Sequence, residues 1–306
     1  VVFPSLAAME SATATPWLLF GVLLLLGLVL AAFAVRQREG LIHYFTCCFV
    51  IATEVIWTSR HFTPGRSWQA VCVYGAFSLF MLGVPWYAKY RNRTLGCGSD
   101  ILTLLLALPP LVFAAFALTG HAYGQQPVLL FGFLAAVVAW LAAVSLHHGP
   151  RWLHTISGVF TLLIWAGWLW NCYSERVWPK TLGLLALFVG IFLIVGAVEE
   201  KRAEKRAEER DPSSEWAVFT APLLLFAAPF LVLAEPRTAS PGLLFGVLLG
   251  LVAGLSAYAV RFEKGFIHFT ACFFVLVAEA LWSLLHLSSS TLMAALAIYG
   301  CYGLFY

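Results

Sequence analysis

The stretch that decides the fold runs from Gly40 to His61 and reads GLIHYFTCCFVIATEVIWTSRH. It occurs a second time 225 residues later, from Gly265 to His286, as GFIHFTACFFVLVAEALWSLLH, and the two copies align without a gap. On a helix, six identical residues of each copy lie on one face, because they are spaced 4, 3, 4, 3 and 4 residues apart.

We call this face the shared stripe. It consists of His43, Cys47, Val50, Glu54, Trp57 and His61 in the first copy, and of His268, Cys272, Val275, Glu279, Trp282 and His286 in the second. Off the stripe most residues differ between the copies, as Phe45 differs from Thr270. One face of this helix is therefore held constant while the other face varies.

The repeat extends beyond this helix. At the same offset, 33 of the 81 positions aligned between 1–81 and 226–306 are identical, far more than shared hydrophobicity produces. The repeating unit contains eight predicted helices, an even number, so successive copies have the same orientation in the membrane. We predict three parts: 1–15 as the tail of a preceding unit, with half a helix and an outer loop, 16–240 as a complete unit, and 241–306 as the first three helices of the next unit, cut short.

The composition excludes a soluble globular protein. Apolar residues make up 61% of the chain and charged residues 11%, and the mean hydropathy is +0.88. Apolar runs of span length follow one another without the period-two alternation of a barrel strand. We therefore predict an all-α polytopic transmembrane bundle of about 11 spans plus a partial one at the N-terminus, with the lipid bilayer and not nucleic acid as its partner. The predicted spans are 17–35, 41–59, 69–87, 101–119, 127–146, 152–171, 180–198, 216–234, 243–260, 266–285 and 292–306.

The distribution of basic residues predicts the orientation. The loops after spans 1, 3, 5, 7 and 9 hold 13 Lys and Arg residues, and the opposite side holds 5. The positive-inside rule then places the first set of loops in the cytoplasm and the start of the first full span outside. Residues predicted to face the cytoplasm are Arg36, Lys89, Arg151, Lys201 and Lys264.

Glu54 and Glu279 are the strongest candidates for chemistry, since an ionised side chain near the centre of a span costs about 2.5–3.5 kcal/mol. One interpretation is a proton or cation site. The other is a clasp, a neutral carboxyl that hydrogen-bonds a neighbouring helix. Tyr74 is the expected clasp partner of Glu54, and Tyr299 that of Glu279.

The stripe histidines do not form a haem or metal motif. His43 and His61 lie about 27 Å apart on one helix, so they cannot be the two axial ligands of one haem. His43 with Cys47 could bind a metal only with ligands from other helices, and the same holds for His268 with its cysteine. We therefore predict no cofactor. The ordinary interpretation of these histidines is that they make hydrogen bonds.

Three glycines, Gly246, Gly250 and Gly254, form two overlapping small-xxx-small motifs that predict a close helix-packing surface. The sequence contains no phosphate-binding loop, nucleophile elbow or HExxH motif, and enzymatic activity is not predicted.

Three short motifs carry a resemblance to a known family. They are the Glu-x-x-Trp near the end of span 2, the Tyr-Gly-x-x-x-Leu-Phe of span 3 and its continuation LGVPWYAKYRNR. The chain resembles a large bacterial family of predicted multi-spanning membrane proteins known as domain of unknown function 2339. The resemblance implies a long helical array in the bacterial inner membrane and supplies no catalytic residues.

Two functional hypotheses follow. The first is a non-enzymatic scaffold or accessory subunit of a membrane complex, whose partners are other membrane subunits or further repeats of its own chain. The second is a proton-coupled transporter or channel that uses Glu54 and Glu279. Transporters commonly show inverted repeats and broken helices, whereas this repeat is parallel and spans 2 and 10 lack internal Pro and Gly. These features favour the first hypothesis.

Overall fold

The structure is a computed structural model that describes residues 2–9, 15–91, 95, 100–118, 126–147, 152–206 and 212–304. Every regular element in this part of the chain is helical, as predicted. The chain divides into two compact units, Val1–Leu153 and His154–Tyr306.

Unit 1 contains six helices. They are α1 (Val2–Met9), α2 (Pro16–Gln37), α3 (Gly40–His61), α4 (Ser67–Tyr90), α5 (Asp100–Ala117) and α6 (Pro127–His147). The stripe helix α3 is surrounded by α1, α2, α4 and α5, and α6 packs on α4 and α5. Residues 2–9 are helical, as the repeat predicts.

Seven further helices form the second half of the chain. They are α7 (Trp152–Cys172), α8 (Trp178–Arg206), α9 (Pro212–Leu223), α10 (Ala227–Ala234), α11 (Gly242–Phe262), α12 (Gly265–His286) and α13 (Leu292–Gly303). A short 3-10 turn, Leu224–Phe226, joins α9 to α10 so that the two form one span. In unit 2 the stripe helix α12 packs on α9, α10 and α11.

Nine spans in the described part of the chain are long and apolar enough to cross a membrane. A helix of 22 residues such as α3 is about 33 Å long, which matches a hydrocarbon core of about 30 Å. The other two predicted spans correspond to α5 and α13, whose described apolar parts, Leu106–Phe116 and Leu292–Gly303, are shorter. The predicted break at Tyr306 lies outside the described residues, as does Arg151.

The turn that leads into each stripe helix has the same unusual backbone. Arg38, after α2, has φ 60°, and Glu263, after α11, has φ 58°; these are the two described residues other than glycine with a positive φ. In both turns the next residue donates its backbone N–H to the carbonyl five residues earlier, at 3.0 and 2.8 Å. A left-handed residue ends a helix by capping its last carbonyls. Two helices can therefore follow each other with only two residues between them.

Glycine allows close helix approach in unit 2, at positions other than the predicted ones. A side chain at Gly158 of α7 would collide with Thr220 of α9, and one at Gly196 of α8 would collide with Val218. These contacts hold α9 tightly between its neighbours, since small residues let membrane helices approach closely.

Helix α8 continues well past its apolar part, to Arg206, as its run of helix-forming charged residues predicts. Glu200, on this extension, forms an ion pair of 3.4 Å with Lys264 in the turn between α11 and α12. The end of α8 and this turn therefore lie on the same side of unit 2. The count of Lys and Arg residues likewise assigns the loop after α8 and the turn between α11 and α12 to one side of the membrane.

Candidate functional site

The shared stripe of α3 is mainly a packing surface. Val50 and Trp57 are fully buried, and Cys47 is too. The Trp57 ring meets Phe20 of α2 edge to face, at 5.9 Å between ring centroids and 83° between planes. Aromatic pairs in this arrangement add about 0.5–1.5 kcal/mol beyond their buried area. This contact fixes the stripe helix against α2.

The stripe of α12 makes the corresponding contacts in unit 2. Trp282 is fully buried and meets Phe245 of α11 at 6.1 Å and 83°. Its indole N–H also donates a hydrogen bond of 2.7 Å to the carbonyl of Thr238. Val275 is fully buried in the same way as its counterpart in α3. The same positions therefore pack on the same neighbours in both copies.

The histidine and cysteine that begin each stripe lie against each other. The sulfur of Cys47 lies 3.6 Å from Nε2 of His43, and the distance between Cys272 and His268 is also 3.6 Å. His43 is fully buried, with its Nε2 3.1 Å from the carbonyl of Met81 on α4.

The part of the chain that the structure describes contains no group of three His, Cys, Asp or Glu side chains placed to hold a metal. His43 and Cys47 are thus brought together without a third ligand. The ring of His268 instead lies 2.8 Å from the hydroxyl of Ser256. These contacts are hydrogen bonds within the helix packing, the ordinary interpretation of the sequence.

The histidines that end the stripes lie beside their tryptophans, with ring centroids 6.5 Å apart for Trp57 and His61 and 6.2 Å apart for Trp282 and His286. Nε2 of His61 lies 2.9 Å from the carbonyl of Ala7 on α1. His61 therefore connects the far end of α3 to the first helix.

Glu54 is the exception on the stripe, and the predicted clasp to Tyr74 is wrong. The side chain is 1% exposed, yet neither carboxyl oxygen has a hydrogen-bond partner in the described residues. The hydroxyl of Tyr74 lies instead 3.0 Å from that of Thr58, one helical turn beyond Glu54.

The second copy repeats this arrangement: Tyr299 bonds the hydroxyl of Ser283, and not the carboxyl of Glu279 as predicted. Glu279 is 5% exposed, and its backbone carbonyl accepts a hydrogen bond of 2.6 Å from Ser283. The tyrosine therefore ties the third helix of each copy to the residue one turn beyond the stripe carboxyl.

A cavity of about 370 Å³ lies beside Glu54. It is bounded by the stripe helix, by Tyr74 of α4 and by the segment of α5 from Leu108 to Phe116. Its lining is apolar except for Glu54, Thr58, Ser59 and Tyr74. An unpartnered buried carboxyl in an apolar cavity is the least ordinary feature of unit 1.

A hydrogen-bonded carboxyl clasp of a different kind lies just past the end of a span, at Glu235 between α10 and α11. This carboxyl is 1% exposed and accepts a hydrogen bond of 2.7 Å from the hydroxyl of Tyr173. The backbone N–H of Arg237 donates to it at 3.2 Å, and the guanidinium of the same residue donates to the carbonyl of Glu175. Burial, and next the bond to Glu235, raises the pKa of the Tyr173 phenol.

The sequence held a signal for this clasp. Glu235 matches Glu10 at the offset of 225, and Thr238 matches Thr13, outside the stretch that drew attention. The structure does not describe Glu10 and Thr13.

The predicted glycine surface has no partner within the described chain. A side chain placed on Gly246, Gly250 or Gly254 would meet no atom within 4 Å, and all three residues are exposed. The close packing expected of these motifs therefore stays a prediction about a neighbour outside the described residues.

No protein-family model, curated protein or solved structure matches this chain. The expected membership of the domain of unknown function 2339 family thus stays a prediction. The geometry of the two stripes is the ground on which a function is proposed.

Proposed function

We propose that this integral membrane protein is a non-enzymatic scaffold or accessory subunit, built from tandem parallel units of eight helices. The observation that carries the proposal is the equivalence of the two stripes. The pair Phe20 and Trp57 and the pair Phe245 and Trp282 have the same interplanar angle of 83° at positions 225 residues apart. A stripe that repeats its packing contacts in each unit serves helix assembly.

The turns before the stripes support the repeat independently. Arg38 and Glu263 both adopt a left-handed backbone, which is unfavourable for residues other than glycine. Because their side chains differ, sequence identity between the copies does not explain the shared backbone. Two unrelated residues adopt this backbone because the helices on either side require it. The repeated element is therefore a three-dimensional arrangement of helices.

The proposed partners are other membrane subunits or further repeats of the same chain. The exposed face with Gly246, Gly250 and Gly254 offers a smooth helix surface to such a neighbour. The proposed location is the bacterial inner membrane, with the charged end of α8 in the cytoplasm, on the positive-inside rule.

A proton-coupled transporter or channel is the second candidate, and one observation favours it: Glu54 is buried and unpartnered, and it lines a cavity. An intramembrane carboxyl of this kind is a common feature of ion paths. The apolar lining of the cavity counts against this candidate, because an ion needs polar groups or water along its path. The scaffold is therefore the better supported proposal.

A pH-gradient assay on the full-length protein in liposomes separates the two candidates. Under the scaffold proposal, an imposed pH gradient decays no faster with the protein present than in protein-free liposomes. This holds for wild type, for Glu54→Gln and for Glu279→Gln. The physical reason is that the lining of the cavity beside Glu54 is mainly apolar and so does not favour a charged species or a chain of water. The measurement is the fluorescence of a pH-sensitive dye inside the liposomes.

A matched variant, Glu263→Gln in the turn before α12, controls for the loss of one carboxylate outside the spans. Gradient decay that is fast in wild type and in Glu263→Gln, but slow in the Glu54 or Glu279 variant, would refute the scaffold proposal.

A further inference from the structure

Three of the four polar side chains that line the cavity beside Glu54 already make hydrogen bonds. The hydroxyls of Thr58 and Tyr74 bond each other at 3.0 Å, and Ser59 donates to the carbonyl of Ile56 at 2.8 Å. Both oxygens of Glu54 lack a partner in the described residues. Glu54 is thus the polar side chain of the lining that makes no hydrogen bond, and its two oxygens lie just behind the surface of the cavity.

The cavity lies at a depth that phospholipid headgroups do not reach. Glu54 is about 5 Å along the axis from the midpoint of α3, so it lies about 10 Å inside the boundary of a hydrocarbon core whose half-thickness is about 15 Å. Ester groups and charged headgroups lie at that boundary. A molecule that reaches Glu54 must therefore carry its polar atom deep in the bilayer.

The mouth of the cavity lies on the outer side of α3 and α5. Val55 of α3 is 56% exposed and Val112 of α5 is 51% exposed, although both line the cavity. The outward surface of these helices lies within the apolar part of the spans. A ligand therefore enters from the bilayer and must dissolve in it.

One wall of the cavity is aromatic. The rings of Tyr74 and Phe113 stack at 4.0 Å between centroids and 11° between planes, and Phe116 lies one turn further along α5. Aromatic walls favour flat ligands. The volume of about 370 Å³ is within the range of sites that hold small organic molecules.

We propose that this cavity binds a neutral, lipid-soluble molecule that presents a carbonyl oxygen on a flat ring, as quinones do. The carboxyl of Glu54, neutral in this apolar surrounding, turns toward the cavity and donates its proton in a hydrogen bond to that oxygen. The ring lies along the aromatic wall, and an apolar tail leaves through the mouth beside Val55 and Val112. This inference goes beyond the scaffold role and does not depend on it.

A neutral ligand fits better than a cation. A carboxylate with a bound cation would be an ion pair in a cavity whose other polar groups are already bonded, and the desolvation of both charges opposes it. A neutral carboxyl needs only an acceptor. A carbonyl oxygen is the simplest acceptor that dissolves in the hydrocarbon core.

The test measures retention of decylubiquinone by the full-length protein in lipid nanodiscs, relative to empty nanodiscs. Glu54→Leu removes the donor and should weaken binding about fivefold, the ratio given by one hydrogen bond of about 1 kcal/mol. Glu54→Gln should bind within about twofold of wild type, because the amide N–H still donates. Decylbenzene, which lacks the carbonyls, should bind equally to wild type and to Glu54→Leu.

A second pair of variants tests the location without altering the carboxyl. Val112→Trp fills the mouth and should abolish retention of both compounds, while Leu163→Trp, at a lipid-exposed position of α7, should change neither. Equal quinone binding by wild type and Glu54→Leu would overturn the proposal. Loss of binding in Glu54→Gln as large as in Glu54→Leu would also overturn it, since it would mean that the site requires a carboxylate.

Discussion

Replacing Trp57 with alanine is expected to lower the free energy of unfolding by about 3 kcal/mol, the lower end of the range for a buried tryptophan. The cost arises from the lost contact with Phe20 and from the void left in a fully buried site. Lipid replaces water around the separated helices, so packing contributes more of this cost than hydration does. Trp282→Ala should cost about as much, since it removes the contact with Phe245 and the hydrogen bond from the indole N–H to the carbonyl of Thr238.

The measurement is unfolding of the purified protein in mixed micelles with a rising fraction of denaturing detergent. Trp170→Ala is the matched control, because Trp170 is 82% exposed at the end of α7 and its loss should change stability by less than about 0.5 kcal/mol. A Trp57→Ala variant as stable as Trp170→Ala would contradict the packing role of the stripe.

Replacing Glu235 with alanine is expected to destabilise the protein by about 2 kcal/mol. The change leaves the hydroxyl of Tyr173 and the backbone N–H of Arg237 without their acceptor at a partly buried site. Loss of one partner of such a network costs more than the bond itself contributes. Tyr173→Phe removes only one bond and should cost about 1 kcal/mol.

The same detergent titration measures this effect. Glu175→Ala is the control: Glu175 is exposed, and its backbone carbonyl, which the substitution keeps, is the atom that accepts from Arg237. If Glu235→Ala and Glu175→Ala were equally stable, the clasp would not hold the ends of these helices together.

The helix bounds of the stripes were predictable because they rest on local pattern. The predicted spans 41–59 and 266–285 each lie within one helix, Gly40–His61 and Gly265–His286, whose ends extend one or two residues further. Hydrophobic length and identity between copies are both properties of contiguous sequence. The continuation of α8 to Arg206 follows equally from local helix propensity.

The partner of Glu54 could not be predicted in this way. Whether Tyr74 reaches residue 54 or residue 58 depends on how far α4 is rotated and shifted against α3, and a difference of one turn decides it. The sequence did contain the relevant pair: Thr58 and Ser283 differ in type but both carry a hydroxyl. A pattern of identical residues does not reveal this shared chemistry.

The cavity and the glycine surface show the same limit. The cavity depends on α5, whose position no repeat constrains within this sequence. The glycine motif predicts that a helix can approach, and not which helix does so. Both features are set by tertiary packing, which a single sequence does not specify.

The most direct test of the central claim, that both stripes are the same packing surface, is a pair of double-mutant cycles. One cycle combines Phe20→Ala with Trp57→Ala, and the other combines Phe245→Ala with Trp282→Ala, in the full-length protein under detergent unfolding. We expect a coupling free energy of about 1 kcal/mol in each cycle, equal within about 0.5 kcal/mol, as the shared edge-to-face geometry requires. Coupling in one copy and none in the other would contradict the account.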